Sequence, residues 1–206
     1  SDGVVDLAVG AWGNSALYIL FMTASATVGG AQKISNSEGG FAAHYTLAEG
    51  DHFGYSVASI GDLNIDGVSE LVVGALGDGA VYVLFMATNG TAVTIQKISN
   101  STGGLAAHYT LNEGDWFGSS VAPLGDMNGD GVVDFAVGAA WDGDGSSAAG
   151  AFYFIFATTS GTVGDAAKVS MLEGGFASFY TLDGSDWFGR SLALVGNSNG
   201  TLELVV

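Results

Sequence analysis

The sequence of 206 residues has no cysteine, a single proline and only four basic residues. Without cysteine there is no disulfide framework, no zinc site built on thiolates and no cysteine nucleophile. Asp and Glu together number 21, so the formal net charge is −17. Such a charge repels nucleic acid and anionic membrane surfaces, and we therefore expect no nucleic-acid partner.

Long hydrophobic runs are also missing. The longest, residues 16–22, is far shorter than the roughly 20 residues that a membrane-spanning helix needs, so we expect no membrane insertion. Nevertheless 48% of the residues are hydrophobic, and 34 are glycine. This composition predicts a well-cored domain with many tight turns and an acidic surface.

The chain does contain an internal repeat. Gln32-Lys-Ile-Ser-Asn36 recurs 64 residues later as Gln96-Lys-Ile-Ser-Asn100, and Phe53-Gly54 recurs at the same offset as Phe117-Gly118. In the third copy the offset to Phe188-Gly189 grows to 71. The added residues fit the Gly/Ser/Asp-rich stretch 142–150, which predicts an enlarged surface turn at this point. The repeats so predicted are 1–52, 53–116 and 117–187, with 188–206 opening a further one.

Two loops of this repeat carry oxygen donors at a fixed spacing. Asp126-Met-Asn128-Gly-Asp130-Gly131-Val132-Val-Asp134 recurs 64 residues earlier as Asp62-Leu-Asn64-Ile-Asp66-Gly67-Val68-Ser-Glu70. Side-chain oxygens stand at the first, third and fifth positions, a backbone carbonyl at the seventh and a carboxylate at the ninth, as a hard cation prefers. Both loops lead into strand-like sequence instead of the helix that follows an EF-hand loop. We therefore predict Ca²⁺ as cofactor, with these ligands: Asp62, Asn64, Asp66, Val68 and Glu70 in one loop, and Asp126, Asn128, Asp130, Val132 and Asp134 in the other.

Two further stretches resemble parts of this loop. Residues 1–6 match its second half, so Asp2, Val4 and Asp6 are predicted ligands of a site that needs its first half from elsewhere. Residues 196–200 are two positions short and lack the central aspartate, which predicts a plain turn without metal. Because residues 200–206 repeat 3–9, we expect a piece of a longer polypeptide or a unit completed by identical neighbours.

Each repeat is predicted to form four short strands. In the middle copy these are residues 53–60, 71–76, 80–87 and 93–98, which are rich in Val, Ile, Phe and Tyr and are separated by Gly, Asp and Asn turns. Four strands in 64 residues is the size of a propeller blade. The fold class predicted is all-β, with about three four-stranded antiparallel blades belonging to a larger propeller or array.

The motifs resemble those of a known family. The Phe-Gly pair, the Gly-Asp-x-Asn-x-Asp-Gly loop and the Val-Gly-Ala strand end together resemble the FG-GAP repeat, the blade unit of integrin α-subunit propellers. The proline of the "GAP" element is absent, as in Gly74-Ala75-Leu76. The resemblance implies a β-propeller, calcium on the loops of one face, and adhesive or scaffolding work outside the cell.

We expect no enzymatic activity. Residues 196–200 spell Gly-x-Ser-x-Gly, but a nucleophile elbow needs a helix after the serine and a histidine partner, and no histidine follows His108. His44 and His108 occupy the repeat position of Phe179, which we interpret as a site of aromatic packing. Three sequons predict N-glycosylation at Asn89, Asn100 and Asn199, provided that the protein passes through a eukaryotic secretory pathway.

Two functions remain open. The first is an extracellular or cell-surface adhesion and recognition module that binds a protein or glycan ligand. The second is a structural subunit of an extracellular fibre or surface layer, in which identical neighbouring subunits place their blades in series.

Overall fold

The computed structural model describes residues 3–198 and 201–206, which form antiparallel sheets joined by short turns. The first sheet contains β1 (Leu7–Ala11), β2 (Ala16–Met22) and β3 (Val28–Ile34). The second contains β4 (Phe53–Gly61), β5 (Glu70–Ala75), β6 (Ala80–Met86) and β7 (Ala92–Ile98). The third contains β8 (Phe117–Gly125), β9 (Asp134–Ala139), β10 (Ala151–Ala157) and β11 (Val163–Val169). A fourth pairs β12 (Ala193–Ser198) with β13 (Thr201–Val205).

In each sheet the strands follow one another in sequence order, so every connection is a simple hairpin. The predicted strands of the middle copy are all found, and each of their ends agrees within one residue. The all-β class and the four-stranded, propeller-type blades are thus confirmed.

Hydrophobic cores lie between successive sheets. Leu17 and Ile34 of the first sheet pack with Val73 and Tyr82 of the second. The same arrangement joins the second sheet to the third. A smaller cluster around Phe152 joins the third sheet to Leu192 and to Leu204 of β13. Because the middle sheets are covered on both faces, β5 and β6 are continuously buried and lack the alternation of a half-exposed strand.

Glycines of the repeat allow the inner strands of neighbouring sheets to touch. A side chain at Gly74 would collide with the backbone of Gly118, and the same relation joins Gly138 to Gly189. Ser56 Oγ donates to the Gly118 carbonyl at 2.8 Å across this junction. The Phe-Gly and Val-Gly-Ala motifs are therefore two sides of one backbone contact between blades.

A segment with a single 3-10 turn connects each sheet to the next. These turns are Phe41–Ala43, Leu105–Ala107 and Phe176–Ser178. In the first segment Phe41 is buried against Phe53 and Tyr82, two residues of the following sheet. The segment thus belongs to one sheet by sequence and packs against the next.

Candidate metal sites

The two oxygen-rich loops occupy the same place in their sheets. One joins β4 to β5 and the other joins β8 to β9, so both lie at one end of their blades. The tips of both loops, residues 65–67 and 126–131, are exposed, whereas Glu70 and Asp134 at their ends are fully buried. The structure therefore combines an accessible turn with a buried carboxylate beneath it.

Hydrogen bonds from the backbone hold the first loop in shape. Asp62 accepts N–H groups from Asp66 at 3.0 Å and from Gly67 at 2.9 Å. Asp66 Oδ1 accepts the Val68 N–H at 2.8 Å, and its Oδ2 accepts the Asn64 amide at 2.8 Å. The side chains predicted as ligands are thus turned into the loop, where they satisfy backbone donors.

The second loop repeats this pattern almost bond for bond. Asp126 accepts from the N–H groups of Asp130 at 3.1 Å and Gly131 at 2.9 Å. Asp130 accepts from Val132 at 2.8 Å and from the Asn128 amide at 2.9 Å. Two sequences that differ at four of nine positions therefore build one conformation, which the shared Asp, Asn and Gly residues determine.

The carboxylate at the ninth position differs between the loops. Asp134 accepts two backbone N–H groups, one from Met127 at 2.9 Å and one from Ala157 at 3.1 Å. Glu70 accepts the Leu63 N–H with Oε2 at 2.6 Å, whereas its other oxygen, Oε1, is buried and has no hydrogen-bond partner among the residues that the structure describes. A buried acceptor without a partner is costly, so this oxygen is the one best suited to meet a cation.

The ninth-position carboxylates of both loops have raised pKa values, which indicates that positive charge is lacking there. Burial raises the pKa of Glu70, and repulsion from Asp66 and Asp62 raises it further, against the effect of the Leu63 hydrogen bond. Burial likewise raises the pKa of Asp134, with repulsion from Asp130 added. Each loop thus gathers carboxylates whose mutual repulsion a cation would relieve.

The donor sets fit a calcium ion in chemistry and in number. Within residues 3–198 and 201–206, no three acidic or histidine side chains converge into a ready-made metal cluster. However, a carboxylate oxygen that accepts one N–H keeps a second lone pair, and each loop adds an amide oxygen and a backbone carbonyl. The two loops therefore remain our candidate calcium sites.

The other predicted ligands and modification sites are only partly described. Asp2 and Asn199 lie outside the described residues, as do the side chains at 197–203. The plain turn without metal at 196–200 therefore stays a prediction. Asp6 is exposed, and its Oδ1 accepts the Met22 N–H at 2.9 Å, as Asp134 does from Ala157. Val4 precedes β1 in a bend. Asn89 and Asn100 are both exposed, and their glycosylation remains a prediction.

The enlarged turn at 142–150 is a correction to the sequence interpretation. We expected a surface turn, and Gly143, Gly145 and Ser147 are indeed exposed. However, Asp142 is 1% exposed and lies 2.8 Å from Lys168 Nζ, which also contacts Asp144 at 2.8 Å. Tyr153 donates to Asp142 at 3.1 Å. The repeat of Lys and Tyr in the second copy, where Lys97 contacts Asp78 at 2.7 Å, was the signal that could have revealed this cluster.

The histidines also differ from expectation. His44 Nε2 lies 3.0 Å from the Val93 carbonyl oxygen, and His108 Nδ1 lies 3.3 Å from Asp165. Both contacts cross from one sheet to the next, and Phe179 at the equivalent position is exposed. The interpretation of His44 and His108 as an aromatic packing position is therefore wrong. His52, whose repeat position is that of Trp116, packs edge-on against Trp12 at 5.1 Å.

Sequence comparisons place these blades among known proteins. No protein-family model matches the chain. Human integrin alpha-7 is 38% identical over 148 residues, which cover 65% of this chain and 11% of that protein. Mouse integrin alpha-2 is 36% identical over 96 residues, or 42% of this chain and 7% of that protein, and integrin alpha-PS5 of Drosophila melanogaster is 32% identical over 99 residues, or 45% and 9%.

The fold and the loops together define a class of proteins: four-stranded blades of propeller type with a loop rich in Asp and Asn between the first two strands. The integrin matches make the family specific: the chain is built of integrin α-like FG-GAP repeats. It spans about a tenth of the length of the relatives it matches. In the part of the chain that the structure describes, no helix has the length and apolar character needed to cross a bilayer.

Proposed function

We propose that this chain is a calcium-binding FG-GAP module that serves adhesion or recognition outside the cell and carries no catalytic activity. The partner class that we propose is a protein or a glycan. The proposal draws on the similarity to integrin α-subunits for the setting, and on the two matched loops for the cation.

The buried, unpartnered Oε1 of Glu70 is the observation that carries the calcium proposal. A carboxylate oxygen of this kind, placed beneath a turn with two further aspartates, is destabilising until a positive charge meets it. Asp62, Asn64, Asp66 and the Val68 carbonyl would complete the donor set of this loop. A bound Ca²⁺ would supply the charge that the few basic residues of the chain do not.

Calorimetric titration with CaCl₂ tests the cation directly. We expect dissociation constants on the order of 10⁻⁴ to 10⁻³ M, as in extracellular modules, or somewhat tighter. At tenfold excess over the dissociation constant, each site then stabilises the fold by about 1.4 kcal/mol. A wild-type chain that gives no calcium heat and no chelator-dependent shift in melting temperature would contradict the proposal.

Matched variants assign the sites. Asp66→Ala should remove the binding heat of one loop and Asp130→Ala that of the other, because each deletes two acceptor oxygens from its donor set. Glu113→Ala removes the same charge from an exposed turn outside both loops and should leave both heats intact. Equal losses in all three variants would indicate general charge screening instead of defined sites.

The adhesive role needs a test of its own. Immobilised chain should retain a protein or glycan from an extracellular preparation in the presence of Ca²⁺ and release it in chelator. Retention that the Asp66→Ala and Asp130→Ala double variant does not weaken would separate partner binding from the calcium loops.

A further inference from the structure

Asparagine followed by glycine is a reactive pair, because no side chain shields the glycine nitrogen from the asparagine carboxamide. The chain contains three such pairs, at Asn89-Gly90, Asn128-Gly129 and Asn199-Gly200. Asn199 lies outside the described residues, so the first two pairs are compared. One is in the turn between β6 and β7 and the other is at the tip of the second oxygen-rich loop. Their surroundings differ in the groups that such a reaction needs.

The nitrogen of Gly129 lies beside a base. Its N–H donates to Asp126 Oδ1 at 2.7 Å. Gly129 has a φ of +82°, and nothing lies within 4 Å of the place where its side chain would stand. Asn128 and Gly129 are both exposed. The Asp126 carboxylate can therefore take up the amide proton, and the open surroundings leave room for the asparagine side chain to approach the nitrogen.

The carboxamide of Asn128 is polarised by the same loop. Its Oδ1 accepts the Asp130 N–H at 3.0 Å, and its Nδ2 donates to Asp130 Oδ2 at 2.9 Å. A backbone N–H aimed at a carbonyl oxygen stabilises the negative charge that this oxygen gains when its carbon is attacked. The loop thus supplies a base for the nucleophile and a donor for the developing oxyanion.

We propose that Asn128 is a site of spontaneous deamidation in the chain without calcium. The Gly129 nitrogen forms a bond to Asn128 Cγ, and the bond from Cγ to Nδ2 breaks. The proton lost from Gly129, carried in passing by Asp126, leaves with Nδ2 as ammonia. Water then opens the resulting succinimide at one of its two carbonyls, which gives aspartate or isoaspartate.

The pair Asn89-Gly90 is held out of this reaction. The Gly90 N–H donates to the Ala87 carbonyl at 2.9 Å, and a peptide carbonyl is a far weaker base than a carboxylate. Asn89 Oδ1 is engaged by both the N–H and the hydroxyl of Thr91, at 3.1 and 2.8 Å. Gly90 is also buried, with Phe21 close against it. The turn therefore withholds the base and the room that the loop provides.

The first oxygen-rich loop gives a second comparison, because its amide is held in the same way. Asn64 Oδ1 accepts the Asp66 N–H at 3.1 Å. The next residue is Ile65, whose branched side chain shields its nitrogen. Among the described residues, the Ile65 N–H makes no hydrogen bond to Asp62, the counterpart of Asp126. This loop has the polarised amide without the accessible nucleophile and should react slowly.

The two products change the second loop differently. Aspartate in place of Asn128 keeps the backbone and puts a carboxylate at the third donor position, so calcium binding should be kept. Isoaspartate inserts the side-chain methylene into the backbone and shifts the donors that follow out of register. A chain aged without calcium should therefore lose the second site in proportion to its isoaspartate content.

Calcium should protect Asn128, an expectation that rests on the proposed function. Asp126 and Asn128 Oδ1 both belong to the predicted donor set. A carboxylate that shares its oxygens with a cation is a weaker base, and an amide oxygen held in the donor set keeps its carbon from turning toward Gly129. The loop is thus stable when loaded and modifies itself when empty.

Peptide mapping by mass spectrometry, after incubation at neutral pH and physiological temperature, tests the proposal. In EDTA, deamidation at Asn128 should be at least about tenfold faster than at Asn89 or Asn64. Excess CaCl₂ should slow the reaction at Asn128 and leave that at Asn89 unchanged. Equal rates at Asn128 and Asn89 in EDTA would overturn the proposal.

Exchanging the residues after the two asparagines should transfer the reactivity. Gly129→Ile gives the second loop the residue of the first and should slow deamidation of Asn128 at least about tenfold, whereas Ile65→Gly should accelerate that of Asn64. Ile65 itself has a φ of +63°, so this turn is compatible with isoleucine. Circular dichroism checks that both variants fold. If Gly129→Ile does not fold, Ile65→Gly still decides, because an unchanged rate at Asn64 would contradict the role of the glycine nitrogen.

Calorimetric titration of the same samples with CaCl₂ separates this proposal from the proposed function. After incubation in EDTA, the heat of the second loop should fall with the isoaspartate that a methyltransferase assay detects, and the heat of the first should persist. Deamidation at Asn128 in a fresh chain that gives no calcium heat would contradict the calcium sites and leave the deamidation standing. Calcium heat without protection of Asn128 would show that the ion does not engage this loop as proposed.

Discussion

A single methylene group separates the two candidate calcium loops at their ninth position. Asp134 is short enough to sit between the N–H groups of Met127 and Ala157, which satisfy both of its oxygens. Glu70 reaches the Leu63 N–H with one oxygen and leaves the other without a donor. The same repeat position therefore holds a satisfied carboxylate in one blade and an unsatisfied one in the other.

Replacing the ninth-position carboxylate by its amide should change the free energy of unfolding differently in the two loops when both variants are measured in chelator. Asp134→Asn replaces an accepting oxygen with a donor that faces a backbone N–H, and should reduce the free energy of unfolding by about 1–3 kcal/mol. Glu70→Gln removes a buried charge that Asp62 and Asp66 repel, and should leave the stability unchanged or higher. Urea unfolding in EDTA measures both values, and equal losses would refute the distinction.

At the scale of the strand and turn, a buried lysine anchors the enlarged turn to β11. Lys168 on β11 holds Asp142 and Asp144, and Ser170 donates to Asp144 at 2.9 Å. Burial opposes ionisation of Asp144, but the hydrogen bonds from Lys168 and Ser170 outweigh it and lower its pKa. Burial likewise opposes the charge on Lys168, yet the two aspartates raise its pKa.

Replacing this lysine should therefore destabilise the third blade strongly. Lys168→Met leaves the buried Asp142 without a counter-charge and should cost roughly 3–5 kcal/mol. Lys33→Met, at the same repeat position in the first blade, breaks only a partly exposed contact with Glu38 at 3.4 Å and should cost less than about 1 kcal/mol. Chemical denaturation of both variants in chelator compares them, and similar losses would contradict the role of Lys168.

The strands and loops were predictable because a repeat tests every local pattern twice. Gly and Asp turns recur between the Val-rich runs and bound each of them, so these runs indicate short strands. The burial of Asp142 could not be predicted from its own stretch, since a Gly/Ser/Asp-rich composition is that of a solvated turn and its partner Lys168 lies far along the sequence. Only the recurrence of Tyr82 and Lys97 as Tyr153 and Lys168 pointed to a cluster there. Glu70 was predicted as a ligand, but the missing donor at its Oε1 depends on side-chain length and emerges only in three dimensions.

The segments that connect one sheet to the next show the same limit. Their 3-10 turns are one turn long and carry no periodicity, so no helical signal stands in the sequence. Tyr45 and Tyr109 bind backbone groups of the next sheet, and backbone recognition leaves no trace in the side chains of the partner strand.

At the scale of the whole molecule, acidic charge sets the dependence of stability on pH. Burial is the main cause that raises the pKa values of Glu70, Asp115 and Asp134. Because the folded state holds these protons more tightly than the unfolded chain does, the three groups favour folding at low pH and oppose it as pH rises from about 4 through their folded pKa values. Asp144 acts in the opposite sense, since its lowered pKa contributes stability that is lost only below about pH 4.

Bound calcium should reverse the pH dependence of stability that Glu70 and Asp134 cause. A calcium ion binds the ionised carboxylates, so protons compete with it, and its stabilising effect should grow as pH rises from 4.5 to 7. In chelator, by contrast, the contribution of Glu70 and Asp134 should weaken the fold over the same range. Urea unfolding at both pH values, with excess CaCl₂ or with EDTA, separates the two effects, and the Asp66→Ala and Asp130→Ala double variant should lose the calcium increment at both. A calcium increment that is equal at pH 4.5 and pH 7 would show that the ion does not meet these carboxylates.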